Sequence, residues 1–260
     1  MHYDTRRILL GAATLALFSF VTMFGSQKDD ISTFIALGDS FSAKAFENQN
    51  ALDAFMKAYA IESNNYEILW RVSRTYVDIG EHQPAISKED KAKQLETYQK
   101  ALDFAERAVQ ANPNGAMGYT RRAIATGRVA LFKGVWDSID LVKQVKTDCE
   151  KAIQIGTENP AAYYVLARTH AKLCEKPKVI RWPLGLSWAN MDDAIKNYEK
   201  ALSLKGNFIM YRLDAARAYI EEDNESKAKE YLIAISAYPK QDEDDDVYRK
   251  EAKALLDKLQ

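Results

Sequence analysis

Arginines are the residues of this chain whose type and spacing best suit them to chemistry. Arg71, Arg74, Arg121, Arg128, Arg168 and Arg217, with Lys172, Trp70 and Tyr164, fall at related places along successive segments. A guanidinium presents a planar fork of donors that matches a carboxylate or a phosphate in two parallel hydrogen bonds. Gathering several on one surface raises the local potential well above that of the whole molecule. The chemistry implied is recognition of an anion, either an acidic peptide or an anionic lipid headgroup. Acids share the same places (Asp78, Asp214 and Glu221, with Glu67 at the edge), so the other outcome is a surface on which neighbouring carboxylates neutralise the arginines.

Catalytic patterns are absent. The sequence has no G-x-S-x-G, H-E-x-x-H, P-loop or G-x-G-x-x-G, and no enzymatic activity, cofactor or metal is expected. The histidines are scattered, and His170 falls at a packing position, where a core role is the expectation. Five consecutive acids, Asp242 to Asp246, lack the spaced ligands and glycine of an EF-hand loop. They read as a solvated turn whose charge favours the start of the helix that follows. Cys149 and Cys174 have no metal-ligand spacing. On antiparallel helices turning near Asn159 their heights differ by about 7 Å, so both read as small apolar fillers rather than a disulfide.

The elements that must position these residues are helices. The chain has 260 residues, 47% of them hydrophobic and 28% charged, with only 11 glycines and 6 prolines. Long alanine-, lysine- and glutamate-rich runs have high helix propensity, and scarce turn residues disfavour an all-β sandwich. A net charge of −1 gives no general pull towards nucleic acid. At the start, Arg6 and Arg7 precede an uncharged run from Ile8 to Gln27. This is the layout of an export signal or an uncleaved signal anchor, and the alternatives stay open. No cysteine follows the run, so a lipoprotein anchor is excluded. The division expected is a signal peptide or anchor over residues 1–26, a short linker over 27–33 and a helical domain over 34–260. The expected location is the cell envelope, periplasmic or exported, with residues 6–26 as the membrane attachment.

Within that domain one spacing recurs five times. Ala51/Phe55/Ala58, Ala101/Ala105/Ala108, Val145/Cys149/Ala152, Ala194/Tyr198/Ala201 and Ala228/Leu232/Ile235 are all set four and then three apart. Upstream of each lies a small residue followed three later by a larger one: Gly38/Phe41, Ser73/Tyr76, Ala123/Thr126, Ala167/His170 and Ala216/Tyr219. This is the helix A and helix B signature of a tetratricopeptide-like (TPR-like) repeat. The small residue lets the two helices approach, and the larger one fills the space between pairs. From small residue to helix B the interval is 13 and 12 residues in the first and last units, but 28, 22 and 27 in the middle three. The extra residues fall at the A–B turns and should emerge on one edge. The third insertion, which carries Trp182, Pro183, Gly185 and Trp188, reads as a structured loop. Its Arg181, Trp182 and Trp188, with Lys176 and Lys178, form either a patch for lipid headgroups or a flap folded back over the repeats. A last apolar stripe, Tyr248, Ala252, Leu255, Leu256 and Leu259, predicts a capping helix.

"NYEILWRVSRTYVDIG", "AERAVQANPNGAMGY", "NMDDAIKNYEKALSL" and "YRKEAKALLDKL" resemble the regulator of microtubule dynamics family over about Phe34 to Gln260, most specifically at Leu69–Trp70–Arg71. The resemblance implies TPR-like helices behind an N-terminal membrane segment. In eukaryotic members it also implies microtubule association and, for some, phospholipid binding and tethering. The export-like start suggests a bacterial-type member, so the microtubule role is not carried over. The expectation is therefore an all-α, TPR-like solenoid of about five helix pairs with A–B insertions and a C-terminal capping helix. It would act as a scaffold or adaptor with a protein or acidic peptide in a basic groove. The alternative is a lipid-binding or lipid-transfer module. In such stacks the concave face takes places at and near six, three and two before, and one, four and five after, the small residue of helix A. Those places hold the arginines, Lys172, Trp70 and Tyr164.

Overall fold

The computed structural model describes residues 28–133 and 135–259. The expected signal or anchor segment therefore lies outside the described residues. Helix α1 covers 28–40, so from residue 28 onward the expected linker is helix. It runs into a π-turn, Phe41–Ala45, and then into α2 (Asn48–Ile61). There follow α3 (Tyr66–His82), α4 (Lys88–Ala111), α5 (Ala116–Ala130), α6 (Val135–Ile155) and α7 (Pro160–Cys174). A short α8 (Lys178–Arg181) and a 3-10 turn (Trp182–Leu184) precede α9 (Met191–Leu204), α10 (Ile209–Glu221), α11 (Glu225–Ile235) and α12 (Asp245–Lys258). Among the described residues there is no strand.

Polar side chains start most of these helices at the places their type dictates. Asn65, Asn159, Asn190 and Asn224 each accept a hydrogen bond from a backbone N–H of the first turn of α3, α7, α9 and α11. Pro160 follows Asn159 in the first turn, where its missing N–H costs nothing. Ser87 and Asp90 exchange bonds in a capping box that starts α4.

The five repeated triplets become the buried faces of α2, α4, α6, α9 and α11, and every one of their residues is buried. They pack on the small residues of α1, α3, α5, α7 and α10, giving five antiparallel pairs: α1/α2, α3/α4, α5/α6, α7/α9 and α10/α11. The close approach is literal at Gly38, where a Cβ would lie 2.5 Å from the Phe55 ring. In the second pair the Ser73 hydroxyl donates to the Ala101 carbonyl at 2.7 Å, so even the polar small residue is satisfied inside the core. Between pairs, Asn159 donates to Thr120 at 2.7 Å and ties the start of α7 to α5. Helix α12 lies on α10 and α11, with Ala252 buried and Tyr248, Leu255, Leu256 and Leu259 packed against the last core cluster. It caps the stack.

The first two insertions lengthen helix B rather than forming loops: α4 reaches 24 residues and α6 reaches 21. Only the third is a structured loop. Cys149 is buried, Cys174 is half-buried, and both are free thiols. Burial pushes the Cys149 thiol well above its ordinary pKa, so it is an inert filler.

The acidic run departs from the expected solvated turn. Asp245 is buried and accepts from the backbone N–H of Gln241 and Asp242 at 2.7 and 2.9 Å. Glu243 and Asp244 reach back to the first two repeats. Asn48 donates to Glu243 at 2.9 Å, and the His82 ring lies 3.5 Å from Glu243 and 3.3 Å from Asp244. The superhelix curls enough for its last turn to meet its beginning, a contact that no local pattern encodes.

Candidate functional site: the inner groove

Helices α3, α5, α7 and α10 stand side by side and bring the singled-out residues together. Trp70 is the hub. Its ring is buried, its indole N–H donates to Glu67 at 3.0 Å, and the guanidinium carbons of Arg71, Arg74 and Arg121 lie 4.1, 5.7 and 5.9 Å from its centre. Cations over an indole face are attracted by its quadrupole, so one aromatic ring gathers arginines from two repeats.

Most of these cations already have carboxylate partners. Arg71 bonds Asp39 at 2.9 Å and Glu67 at 2.6 Å, and Arg74 bonds the other oxygen of Asp39 at 3.1 Å. Arg128 pairs with Glu81, Lys172 with Glu175, and Arg217 with both Asp214 and Glu251. The inner surface is therefore largely charge-balanced rather than uniformly basic. Asp39 lies one place after Gly38, a position the repeat register assigns to the same face; counting the first repeat as well as the later four finds it. Glu81 lies beyond the register, in the first insertion, and Glu251 belongs to the cap. No repeat-based signal marks either.

Arg168 and Arg121 are the exceptions: Arg168 has the Tyr164 hydroxyl as its partner, and Arg121 has less. No carboxylate lies within ion-pair distance of Arg121 among the described residues, and its Nε, like that of Arg74, is buried without a hydrogen-bond partner. Burial, with Arg74 beside it, lowers its pKa to about 10, partly offset by Asp78. Asp78 shows the converse. Desolvation outweighs the attraction of Arg74 and Arg121, and its carboxyl is pushed up to about 6. Glu81 and Asp242 add to that rise, which brings the acidic C-terminal turn to the mouth of the same groove.

Further along, Tyr164 stacks on Tyr211 with ring centres 4.4 Å apart. Its hydroxyl donates to Asp214 at 2.8 Å and accepts from Arg168 at 3.1 Å. Tyr211 is a groove residue outside the register, as is Lys205, whose ammonium feels Asp242 and Asp245 and whose pKa burial lowers. Arg74 and Arg121 lie over the Trp70 ring, and Arg121 also feels Tyr211.

The third insertion divides the residues assigned to it. Arg181 is not a headgroup contact: it is buried and donates to the carbonyls of Lys176, Leu186 and Ala189 at 2.9, 3.3 and 2.6 Å. Trp188 packs edge-on to His170 at 5.0 Å beneath Lys146. His170 itself is buried, accepts from the Asn190 N–H at 3.3 Å and has a pKa lowered by burial, the core role its position implies. Trp182 alone remains outside, 73% exposed. Among the described residues no acidic, histidine or cysteine cluster could hold a metal, and no helix is long and apolar enough to cross a membrane.

Comparison with known proteins agrees with the repeat architecture. The solved structure of TTC0263, a thermophilic TPR protein from Thermus thermophilus, superposes with a TM-score of 0.66, covering 86% of this chain and 99% of that one at 16% identity. Such a likeness shows the fold. Regulator of microtubule dynamics protein 1 of Mus musculus is 25% identical over 75% of this chain and 65% of its own length. Regulator of microtubule dynamics protein 3 of Rattus norvegicus is 22% identical over 87% of this chain and 49% of its own. The chain thus spans less than two thirds of these relatives. Residues 34–260 match the family described as Regulator of microtubule dynamics protein 1-3. A TPR-like solenoid whose whole repeat region carries that family's sequence pattern is a member of it, and the chain belongs to the regulator of microtubule dynamics family.

Proposed function

We propose that this chain is a non-catalytic, TPR-like scaffold that holds an acidic segment of a partner protein in its inner groove. One observation carries the reading. Arg74 and Arg121 lie side by side on α3 and α5, each with a buried Nε that has no partner, over the ring of Trp70. A buried donor without a partner costs on the order of 1–3 kcal/mol. A carboxylate placed between the two would relieve both and offset their mutual repulsion. The carboxylate-paired cations around them, Arg71, Arg128, Lys172 and Arg217, with Arg168 on the Tyr164 hydroxyl, would frame the site and set its selectivity.

Binding of a fluorescent oligo-glutamate peptide, followed by anisotropy against an oligo-glutamine control, tests this. The acidic peptide should bind more tightly and weaken as salt rises. The pair Arg74→Glu and Arg121→Glu should abolish binding with the helical circular dichroism unchanged. If affinity survives that double change, the groove is not the site.

The lipid-binding or tethering role that the family resemblance implies is the second reading. It is favoured by the aromatic walls, Trp70 and the stacked Tyr164 and Tyr211, beside the two arginines. Competition of anionic detergent micelles with the peptide separates the two. The attachment of the chain to a membrane through residues 6–26, in the cell envelope, is part of the same proposal and rests on the charged start and apolar run of the sequence. Intact mass of the protein recovered from a membrane fraction tests it.

A further inference from the structure

The third insertion uses a buried arginine to hold an apolar tip out in water. Residues 176–189 contain no acid, although the chain as a whole carries 37. The Arg181 guanidinium sits inside the loop and donates to three carbonyls. Leu186 and Ala189 are buried and anchor the far side, and Gly185 turns the chain with φ +68°, where a side chain would be strained. Burying a guanidinium is costly unless its donors are satisfied. Here they bond backbone, so the interaction sets shape and neutralises no partner. The shape points three apolar side chains outward: Val179 at 78%, Ile180 at 53% and Trp182 at 73% exposure. Lys176 and Lys178 flank them, both exposed, and the Lys143 ammonium lies 3.5 Å from where a side chain at Gly185 would begin.

We propose that this tip is a docking point for an anionic bilayer surface, with Trp182, Ile180 and Val179 entering the headgroup region and Lys176 and Lys178 facing its phosphates. Its size decides against a protein partner. A stable protein interface buries about 800 Å² on each side, more than three side chains on a four-residue helix and turn can offer. Insertion into an interface needs no matching area, only apolar atoms and cations at the correct depth. Tryptophan suits that depth because its ring is apolar and its N–H is polar. Each lysine near an anionic surface adds attraction that falls off within a Debye length. A loop braced by Arg181 presents these groups with little ordering left to occur on contact.

The full chain, bound to phosphatidylcholine vesicles with and without phosphatidylserine, supplies the test. The vesicles carry acyl chains brominated close to the headgroup, which quench tryptophan only at short range. Subtracting the Trp182→Phe protein isolates the emission of Trp182 from that of the other tryptophans. That emission should be quenched on phosphatidylserine vesicles. Quenching of the Trp182 emission should fall by about tenfold, or more, on reversing both lysines to glutamate, and likewise on phosphatidylcholine alone, even where residues 6–26 keep the chain on the vesicle. If wild type and Trp182→Phe are quenched to the same extent on phosphatidylserine vesicles, the tip does not touch lipid. Quenching by the brominated chains that ignores the lysine reversals overturns the role given to charge. A blue shift that grows with protein concentration, without quenching, overturns the proposal in favour of a protein covering the tip.

Discussion

Replacing Asp78 with asparagine should stabilise this protein at neutral pH and leave it unchanged in acid. Asp78 lies in the inner groove, where burial raises its carboxyl from 3.8 to about 6 against the pull of Arg74 and Arg121. Between those values the native state binds a proton that the unfolded chain does not. Its contribution to stability is therefore fully present below about pH 4 and is lost as pH rises through about 6. At roughly 1.4 kcal/mol for each pKa unit, the charged form costs the fold about 3 kcal/mol at most at pH 7. Asparagine keeps the shape of the protonated acid and cannot ionise. Urea unfolding of both proteins should give equal stabilities near about pH 4 and a gap opening through about pH 6 to that limit. The same substitution removes a negative charge from between two arginines, so oligo-glutamate should bind more tightly at neutral pH. A variant no more stable than wild type at pH 7, or a gap that does not change with pH, refutes the account of Asp78 as a desolvated carboxylate.

Other outcomes follow from the packing and from the contact between the ends of the stack. In Gly38→Ala the new methyl would lie 2.5 Å from the Phe55 ring, and overpacking should cost about 1–3 kcal/mol. Adding Phe55→Leu should recover part of that loss, and full additivity of the two changes in a urea double-mutant cycle would contradict the contact. For His82, burial disfavours the charged ring, but the Asp78 carbonyl, Glu243 and Asp244 outweigh it and the pKa is raised. Its contribution is present below the unfolded value and is lost as pH rises through the folded one. Amide exchange at residues 240–246, corrected for intrinsic rate, should lose protection as pH rises from the ordinary histidine range through the raised folded value. The His82→Ala protein should show no such change, and a flat profile in the wild type would remove His82 from the contact.

The repeat was legible because its cause is local and periodic. Alanines at 101, 105 and 108 and the small residues at 38, 73, 123, 167 and 216 are where two helices touch, and side chains set four and three apart share one helix face whatever surrounds them. The same register put Trp70, Arg71, Arg74, Arg121 and Arg168 on one surface, and it also covers Asp39. Pairing is different, because an ion pair is decided by distance in space. Glu81 reaches Arg128 from an insertion, and Glu251 reaches Arg217 from the cap. Sequence spacing encodes neither reach, so a surface that reads as basic is largely balanced, with Arg121 and Arg168 left without a carboxylate. The third insertion makes the same point. Arg181, Trp182 and Trp188 looked equivalent as amphipathic residues in one loop, yet backbone carbonyls took the arginine, His170 took one tryptophan, and only Trp182 was left in water. The five acids read as a solvated turn because local sequence gave them no partner. Curvature accumulated over five helix pairs brings Asn48 and His82 to Glu243 and Asp244, and that sum over the whole stack exists only in the folded chain.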